Sequence, residues 1–363
     1  MPLLQLHTDC EGPLALNDHA FELCRHFLRP RGDRFFRQVS RYDHYLAGLW
    51  KQEGHQAGGA LKLILPFLKA YGLTNERLRR FAQQTLKLVP GAEEAYRFLH
   101  TRGFPLFEIS GSYRQFAEAV GQKLGFDRDH IFCTELDLDR FPISPGEEEE
   151  LRRLKEEIVA APELVPPPEA ASAEDLPGPV QEAVSLMDRI FQDRLPEMEI
   201  GVICREIHLV GGAQKAQALS QSLEKTGLSL PDAVYVGTDL SDVQAFQALR
   251  AGGGLGVSFN GDQDAVNAAQ VIVVADTAWP VALLAAVFQE WGQEGVLELA
   301  APEGPKKSRS LVLPEAVIEP LARGLEGHRF NLYGAGNPRL AQVAQESAAM
   351  RAWLRGQAVA AWG

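Results

Sequence analysis

Four short stretches of the sequence combine carboxylates, a hydroxyl and a lysine. Asp9-Cys10-Glu11-Gly12, Ser110-Gly111 and Thr238–Asp242 each follow an apolar run, and Lys215 comes shortly after a glycine pair. A carboxylate that attacks phosphorus needs a cation beside it, because two anions repel each other before the bond forms. Carboxylate oxygens are the ligands that Mg²⁺ prefers, and a lysine offsets the charge on a transferring phosphoryl group. Together the four stretches predict phosphoryl transfer to an aspartate.

Each stretch also has an ordinary structural explanation. An acid after a strand commonly caps a helix or forms a turn. A serine between small residues is typical of turns, and an isolated lysine is usually exposed. The order of the stretches along the chain, and their common position after apolar runs, favour the chemical interpretation.

Short apolar segments that alternate with helical ones must position these residues. Strands are predicted at residues 3–8, 104–109, 130–136, 233–237, 257–260 and 271–274. Such alternation predicts an α/β fold with a Rossmann-like, doubly wound parallel sheet. An open parallel sheet binds its ligands beyond the carboxyl ends of the strands, where the four stretches lie.

Two further parts of the chain differ from this pattern. Residues 14–88 show helical spacing of apolar side chains and predict an inserted domain of about four helices. Residues 142–200 begin with a run of four acids and continue into a segment rich in Pro and Ala, which predicts an acidic insertion with helical and linker parts. The core domain is therefore predicted at 1–13 and 89–295, and residues 296–363 form a C-terminal tail.

Composition excludes several classes of protein. With 36 Lys and Arg against 48 Asp and Glu, the chain of 363 residues has a formal charge of −12, which argues against binding to nucleic acid or to an anionic membrane. Its four cysteines form no Cys-x-x-Cys pair. No signal-like start or membrane-spanning apolar run is present, so we expect a soluble, cytoplasmic protein whose oligomeric state stays open.

The motifs resemble those of the haloacid dehalogenase (HAD) superfamily of phosphohydrolases. Asp9-Cys10-Glu11-Gly12 is similar to the Asp-x-Asp-Gly motif of that family, and Ile109-Ser110-Gly111 to its second motif. Lys215 matches the lysine of the third motif, and Val236–Asp242 is similar to the fourth. PGAEEAYRFLHTRG, after residue 89, resembles phosphoserine-phosphatase-like members, in which the helices at 14–88 would be a cap over the active site.

The resemblance implies a role for each matched residue. Asp9 would be the nucleophile, and Glu11 would protonate the leaving group and then activate water. Ser110, Gly111 and Lys215 would bind the phosphoryl oxygens. Mg²⁺ would be held by Asp9, Glu11, Asp239 and Asp242, with Glu11 able to use its backbone carbonyl.

Two departures from the family pattern bear on activity. Glu11 stands where the family usually has Asp, which lengthens the stem of the general acid by one methylene. Thr238 stands where an acid usually follows the glycine, and Asp239 lies one position later. Asp239 would then be the metal ligand on a reshaped turn, with Asp242 either a second ligand or a residue behind the ligands.

These residues favour a Mg²⁺-dependent phosphatase that acts on a small phosphorylated metabolite. The alternatives are a catalytically weakened scaffold that binds a protein partner and a phosphotransferase with an acceptor other than water. Substrate specificity would come from the cap, whose cations either read an anionic substrate or merely solvate the cap surface: Arg31, Arg34, Arg37, Arg41 and Lys62.

Overall fold

The computed structural model describes residues 4–48, 58–165, 175–301 and 312–356. Within these residues, seven strands form one sheet in the order β3-β2-β1-β4-β5-β6-β7. The strands are β1 (Gln5–Thr8), β2 (Leu106–Tyr113), β3 (Ile131–Thr134), β4 (Ala233–Gly237), β5 (Leu255–Phe259), β6 (Val271–Ala275) and β7 (Phe330–Gly334).

The helices preceding residue 190 are α1 (His19–Phe27), α2 (Gly32–Gly48), α3 (Ala60–Leu63), α4 (Leu65–Ala70), α5 (Asn75–Thr85), α6 (Ala92–Thr101), α7 (Arg114–Leu124), α8 (Pro145–Ala160) and α9 (Gly178–Asp188). Those after it are α10 (Leu195–Glu197), α11 (Val202–Glu206), α12 (Ala213–Thr226), α13 (Val243–Gly252), α14 (Gln263–Ala268), α15 (Trp279–Leu299), α16 (Glu315–Leu325) and α17 (Leu340–Arg355). None of the helices in the described part of the chain combines the length and apolar character needed to cross a membrane.

The sheet is parallel from β3 to β6, which confirms the predicted doubly wound fold. The strand order reverses at β1, so the crevice at the carboxyl ends of β1, β2 and β4 is the expected ligand site. Thr8 is in register with Val236 on β4 and with Glu108 on β2. This register brings the residues that follow each strand to one edge of the sheet.

One difference from the sequence prediction concerns the second motif. The predicted strand ends at residue 109, whereas β2 continues to Tyr113 and contains Ser110 and Gly111. Its pairing with β3 is irregular between Ile109 and Tyr113. The motif therefore lies on a distorted strand end, because the pairing slips there while the chain stays extended.

Apolar side chains cover both faces of the sheet. Helices α6, α7, α15 and α16 pack on the face that carries Val234 and Val236. On the opposite face α12, α13 and α14 pack against Tyr235 and Ala233, while α17 packs against Ile272 on β6. Neighbouring residues of β4 point to opposite faces, and both faces are apolar, as expected for a strand that is buried on both sides.

A second apolar cluster lies outside the sheet. It joins side chains of α1, α2, α4 and α5 to those of α8, α9 and the short helices up to Ile207. The acidic insertion at 142–200 is thus largely helical where the structure describes it, and it packs against the helices of 14–88. Residues 166–174, in the Pro- and Ala-rich stretch, lie outside the described residues.

Arginines on and just before α2 join these two segments. Arg31 pairs with Glu156 at 3.1 Å and Arg41 with Glu163 at 3.3 Å, while Arg34 donates to the carbonyl of Ala161. These three side chains lie along the seam between residues 31–41 and residues 156–163. Arg37 instead pairs with Asp33 within α2.

The C-terminal segment adds to the core. Strand β7, which the sequence did not predict, pairs antiparallel with β6 at the edge of the sheet. Helix α17 follows it, with Val343 and Ala344 buried against Ile272 and Val274. Ser347 fixes the helix further by donating to the carbonyl of Gly261 at 2.7 Å.

His19 is a buried histidine that couples the stability of the fold to pH. The side chain is 1% exposed and stacks on Phe116 with ring centroids 4.3 Å apart. Neither ring nitrogen has a hydrogen-bond partner among the described residues, and burial lowers the pKa of His19 to about 3. In the unfolded chain this pKa is higher, so acidification adds a proton to the unfolded state first and favours unfolding.

We therefore expect His19→Phe to reduce the loss of unfolding free energy between pH 7 and pH 5 by about 2 kcal/mol, the contribution of one such histidine. Urea denaturation at both pH values measures it. The exposed His100→Gln serves as the control and should leave the loss unchanged. Equal losses in His19→Phe and wild type would contradict the prediction.

Candidate active site

The residues that the sequence places in the site meet around one cavity. It has a volume of about 200 Å³ and lies at the carboxyl ends of β1, β2 and β4. Its core side is lined by the candidate residues Asp9, Glu11, Ser110, Gly111, Lys215 and Asp239. Asp242 lies behind the cavity and is completely buried.

A buried ion network forms the floor of the site. The Lys215 ammonium lies 3.0 Å from Asp9 Oδ2 and 2.6 Å from Asp242 Oδ1. Lys215 is 1% exposed, and it stands in the first turn of α12. Burial lowers the pKa of Lys215, but the charges of Asp242 and Asp9 outweigh burial and hold it above its usual range. The lysine is therefore charged at neutral pH.

Asp242 is fixed by four donors. Oδ1 accepts hydrogen bonds from Lys215 and from the Tyr235 hydroxyl, each at 2.6 Å. Oδ2 accepts from the backbone N–H groups of Thr238 and Asp239 at 2.6 and 3.2 Å. A Cβ at Gly237 would lie 2.4 Å from the Asp242 carboxyl carbon, so this approach requires glycine. The four bonds match the acceptor capacity of a carboxylate.

The turn after β4 carries Asp239 at its start. Its Oδ1 accepts from the backbone N–H and the hydroxyl of Ser241, at 2.8 and 2.6 Å. Burial raises the pKa of Asp239, but the charge of Lys215 and the Ser241 hydrogen bonds outweigh it, so the pKa lies below its usual value. Both hydrogen bonds fall on one oxygen, which leaves lone pairs on Oδ2 for a ligand.

Thr238, which replaces the usual acid, packs against the first motif. Its hydroxyl donates to the Glu11 carbonyl at 3.3 Å. Gly12 has a φ of +113°, and a Cβ there would meet the Thr238 methyl at 2.6 Å. The carbonyl oxygen of Glu11 keeps a second lone pair.

The cluster contains more negative than positive charge. Asp9, Asp239 and Asp242 each place a carboxylate oxygen within 4.8 Å of the others, around the single ammonium of Lys215. Burial raises the pKa of Asp9 to about 7; Lys215 opposes this shift, and Asp242 and Asp239 add to it. A divalent cation would relieve this repulsion, and hard oxygen donors suit Mg²⁺. The residues present therefore fit the expected metal.

Glu11 has the environment of a proton donor. Its Oε1 accepts from the Ser112 hydroxyl at 2.7 Å, and Oε2 lies 3.4 Å from the backbone nitrogen of His19. Burial and the charge of Asp18 raise the pKa of Glu11 to about 8, although Arg355 and Ser112 oppose the shift. At neutral pH the carboxyl is mostly protonated, as a general acid must be.

Ser110 and Gly111 border the cavity from β2. Ser110 is 1% exposed, and its hydroxyl oxygen accepts from the backbone N–H of Ser112 at 3.1 Å. The Ser110 hydroxyl proton is therefore available to a bound anion. The Gly111 carbonyl accepts from Thr134 on β3, which holds the strand end in place.

The helical domain closes the cavity from above. Phe36, Ser40, Asp43 and His44 on α2 line it, together with Ala60 and Leu61. Among the described residues that line the cavity, none is one of the five cap cations that the sequence left open. Arg31, Arg34 and Arg41 instead bind along the seam with residues 156–163.

Sequence reasoning missed several residues of the site. Tyr235 carries a hydroxyl inside an otherwise apolar strand, a signal that could have identified it. Asp18, Asp262 and Arg355 also line the cavity. Asp18 follows the first motif by six residues, and burial raises the pKa of Asp262, in the turn after β5, to about 6. Nothing local in the sequence connects Arg355 to the site.

Comparison with known families finds a match to the first part of the chain. The model of the haloacid dehalogenase-like hydrolase family matches residues 8–176, which include Asp9 and Ser110. Lys215 and the turn after β4 lie beyond that range. Among curated proteins, no sequence matches this chain.

Solved structures extend the likeness. A gene product of Archaeoglobus fulgidus is 30% identical over 97% of both chains, with a TM-score of 0.77. A phosphoserine phosphatase in apo form is 15% identical over 74% of this chain and 92% of its own, with a TM-score of 0.44. A HAD family hydrolase from Salmonella enterica serovar Typhi is 13% identical over 71% and 63%, with a TM-score of 0.41.

The hydrogen bonds and the ion pair of Asp242 should contribute to the stability of the fold. Asp242→Asn replaces an oxygen that accepts hydrogen bonds by an amide that donates them, and it leaves Lys215 partly uncompensated in the interior. Breaking a buried ion pair from one side costs about 3–5 kcal/mol. We expect urea denaturation to show a loss of this size in the free energy of unfolding.

The control is Asp264→Asn, at an exposed position of α14. It should change the free energy of unfolding by less than about 0.5 kcal/mol. A similar small change in Asp242→Asn would show that the network does not stabilise the fold.

Proposed function

Because this chain belongs to the haloacid dehalogenase superfamily and is a phosphohydrolase of that type, we propose that it hydrolyses small phosphorylated metabolites through an aspartyl-phosphate on Asp9. The predicted family and enzyme class are thereby confirmed. The observation that carries the proposal is the Lys215 ammonium held between Asp9 and Asp242 at the edge of the cavity. This arrangement presents a carboxylate nucleophile beside a buried cation.

In the first half-reaction, a carboxylate oxygen of Asp9 attacks phosphorus and the bond from phosphorus to the ester oxygen breaks. Glu11 gives its proton to that oxygen, so the alcohol leaves uncharged. Lys215 and the Ser110 hydroxyl bind the phosphoryl oxygens, whose charge grows in the transition state. The products are an acyl phosphate on Asp9 and an ionised Glu11.

In the second half-reaction, ionised Glu11 takes a proton from water as the water oxygen attacks phosphorus. The bond between phosphorus and Asp9 breaks, and inorganic phosphate leaves. Glu11 is then protonated again and Asp9 is free. Its pKa, raised to about 8, lets one carboxyl serve as acid and then as base near neutral pH.

Asp9, Asp239 and the Glu11 carbonyl are the groups that would hold Mg²⁺. When bound, the ion supplies positive charge that reduces repulsion between the Asp9 carboxylate and a phosphate dianion. Asp242, which the resemblance also makes a ligand, has its lone pairs taken up by four hydrogen bonds. We assign Asp242 to fixing Lys215 and the turn behind the ion.

We also propose that the cap consists of two segments, 14–88 and the helices between residues 145 and 206. Their shared apolar cluster supports this division. The cavity beneath them, of about 200 Å³, suits a small substrate. A cap over the cavity limits the water that reaches the acyl phosphate, so that hydrolysis proceeds through the water that Glu11 activates.

Asp9→Asn tests the nucleophile. We expect p-nitrophenyl phosphate hydrolysis with Mg²⁺ to fall at least about 10³-fold, because an amide oxygen cannot form the acyl phosphate. Initial rates of nitrophenolate release measure it. Asp127→Asn, whose side chain is 80% exposed and lies before β3 at the opposite edge of the sheet, should keep the wild-type rate. A wild type inactive on this ester and on a broad panel of phosphate esters would contradict the proposed function.

Glu11→Gln separates the two half-reactions. Nitrophenolate leaves without a proton, so the variant should form the acyl phosphate and release about one equivalent of nitrophenolate per enzyme in a burst. Further turnover should be slow, because no general base then activates the water that hydrolyses the acyl phosphate. An alkyl phosphate needs the proton at once and should show no burst, with a rate about 10²–10⁴-fold below wild type.

Glu11→Asp keeps the carboxyl group and should turn over both esters without a burst. Rapid-quench kinetics with both esters provide the measurement. Steady turnover of the alkyl ester by Glu11→Gln at the wild-type rate would exclude Glu11 as the general acid.

A further inference from the structure

We infer that Arg355, on the last helix, is a positioning residue that locks the hinge between core and cap and, with it, the Glu11 carboxyl. The effect on Glu11 catalysis rests on the proposed function. The effect on the hinge rests on contacts between Arg355 and residues near the start of the chain.

The hinge is a pair of chain segments that leave and re-enter the core. Leu16 donates to the Lys87 carbonyl at 2.8 Å, and Val89 donates to the Leu14 carbonyl at 2.9 Å. Asn17 ties the segments further, because its side chain donates to the Thr85 carbonyl and accepts from the Lys87 backbone N–H. Any movement of the first cap segment, 14–88, relative to the core must pass through these bonds.

Arg355 holds this hinge from outside the pair. Its Nε donates to the Leu16 carbonyl at 3.1 Å, and one Nη donates to the Asn17 carbonyl at 2.6 Å. The same Nη lies 3.8 Å from Glu11 Oε2. One planar guanidinium thus bridges the hinge and the proposed general acid, a geometry that a lysine cannot reproduce.

The helix that carries Arg355 is anchored to the core. The buried side chains of α17 pack against β6 and α14, and Ser347 donates to the Gly261 carbonyl. Arg355 therefore fixes the hinge relative to the core. Its side chain is 8% exposed, so its contacts with the two carbonyls are largely shielded from water.

The electrostatics of the cavity favour the same role. Glu11, Asp18, Asp9 and Asp262 place carboxyl groups around the cavity, and Arg355 is a cation at the same rim. Removing it would leave two hinge carbonyls without a donor and Glu11 without its cationic neighbour. A misplacement of about 1 Å in a catalytic group can lower a rate about 10²-fold.

The experiment compares Arg355→Ala, Arg355→Lys and Arg323→Ala, the last an exposed arginine paired with Glu319 on α16. Hydrogen exchange of the Leu16 and Val89 amides reports the hinge without any substrate. Steady-state kinetics on an alkyl phosphate with Mg²⁺ report kcat and KM, and thermal melting reports folding.

We expect Arg355→Ala to speed exchange of the hinge amides at least about 10-fold and to lower kcat about 10- to 100-fold, with a smaller change in KM. Arg355→Lys should recover part of both effects, and Arg323→Ala should match wild type. A purely structural role would lower the melting temperature but leave kcat of the folded enzyme unchanged, and that result would overturn the inference.

If the hinge amides of Arg355→Ala exchange at the wild-type rate, the inference is also overturned. If the wild type hydrolyses no phosphate ester, the proposed function fails, and the hydrogen exchange of the hinge amides still decides whether Arg355 holds the hinge. The two failures are therefore distinguishable.

Discussion

The burial of one ammonium between two carboxylates constrains the rest of this structure. Removing Lys215, Asp9 and Asp242 from water costs free energy that their mutual attraction offsets only when the geometry is good and further hydrogen bonds support the pair. Tyr235 and two backbone N–H groups supply those donors to Asp242. The register of β1 with β4, the glycine before Thr238 and the start of α12 all serve to bring these groups together.

The same constraint separates the roles of the acids. Both oxygens of Asp242 are taken up by Lys215, Tyr235 and two backbone N–H groups, whereas Asp9 and Asp239 keep lone pairs for a ligand. Glu11 lies apart from the lysine, near Asp18, and burial there favours its protonated form. Carboxyl groups within one cavity thus differ in protonation because their neighbours differ.

The cap and the C-terminal segment show how distant parts of the chain complete one site. Arg31 and Arg41 bind Glu156 and Glu163, and the two insertions share one apolar cluster above the cavity. Strand β7 and helix α17 extend the core at the other end. Arg355 then reaches the hinge beside Glu11, across most of the length of the chain.

The sequence by itself determined the elements whose signals are local. Apolar runs that end in Asp9, Ser110 or Thr238-Asp239 identified the strands and the parallel sheet, because burial on both faces demands such runs. The strand β7 and the approach of Arg355 had no comparable local signal, and the Tyr235 hydroxyl marked a polar group in a buried strand without identifying its partner. They were decided by the tertiary structure, since an edge strand or a buried hydrogen bond depends on partners far away along the chain.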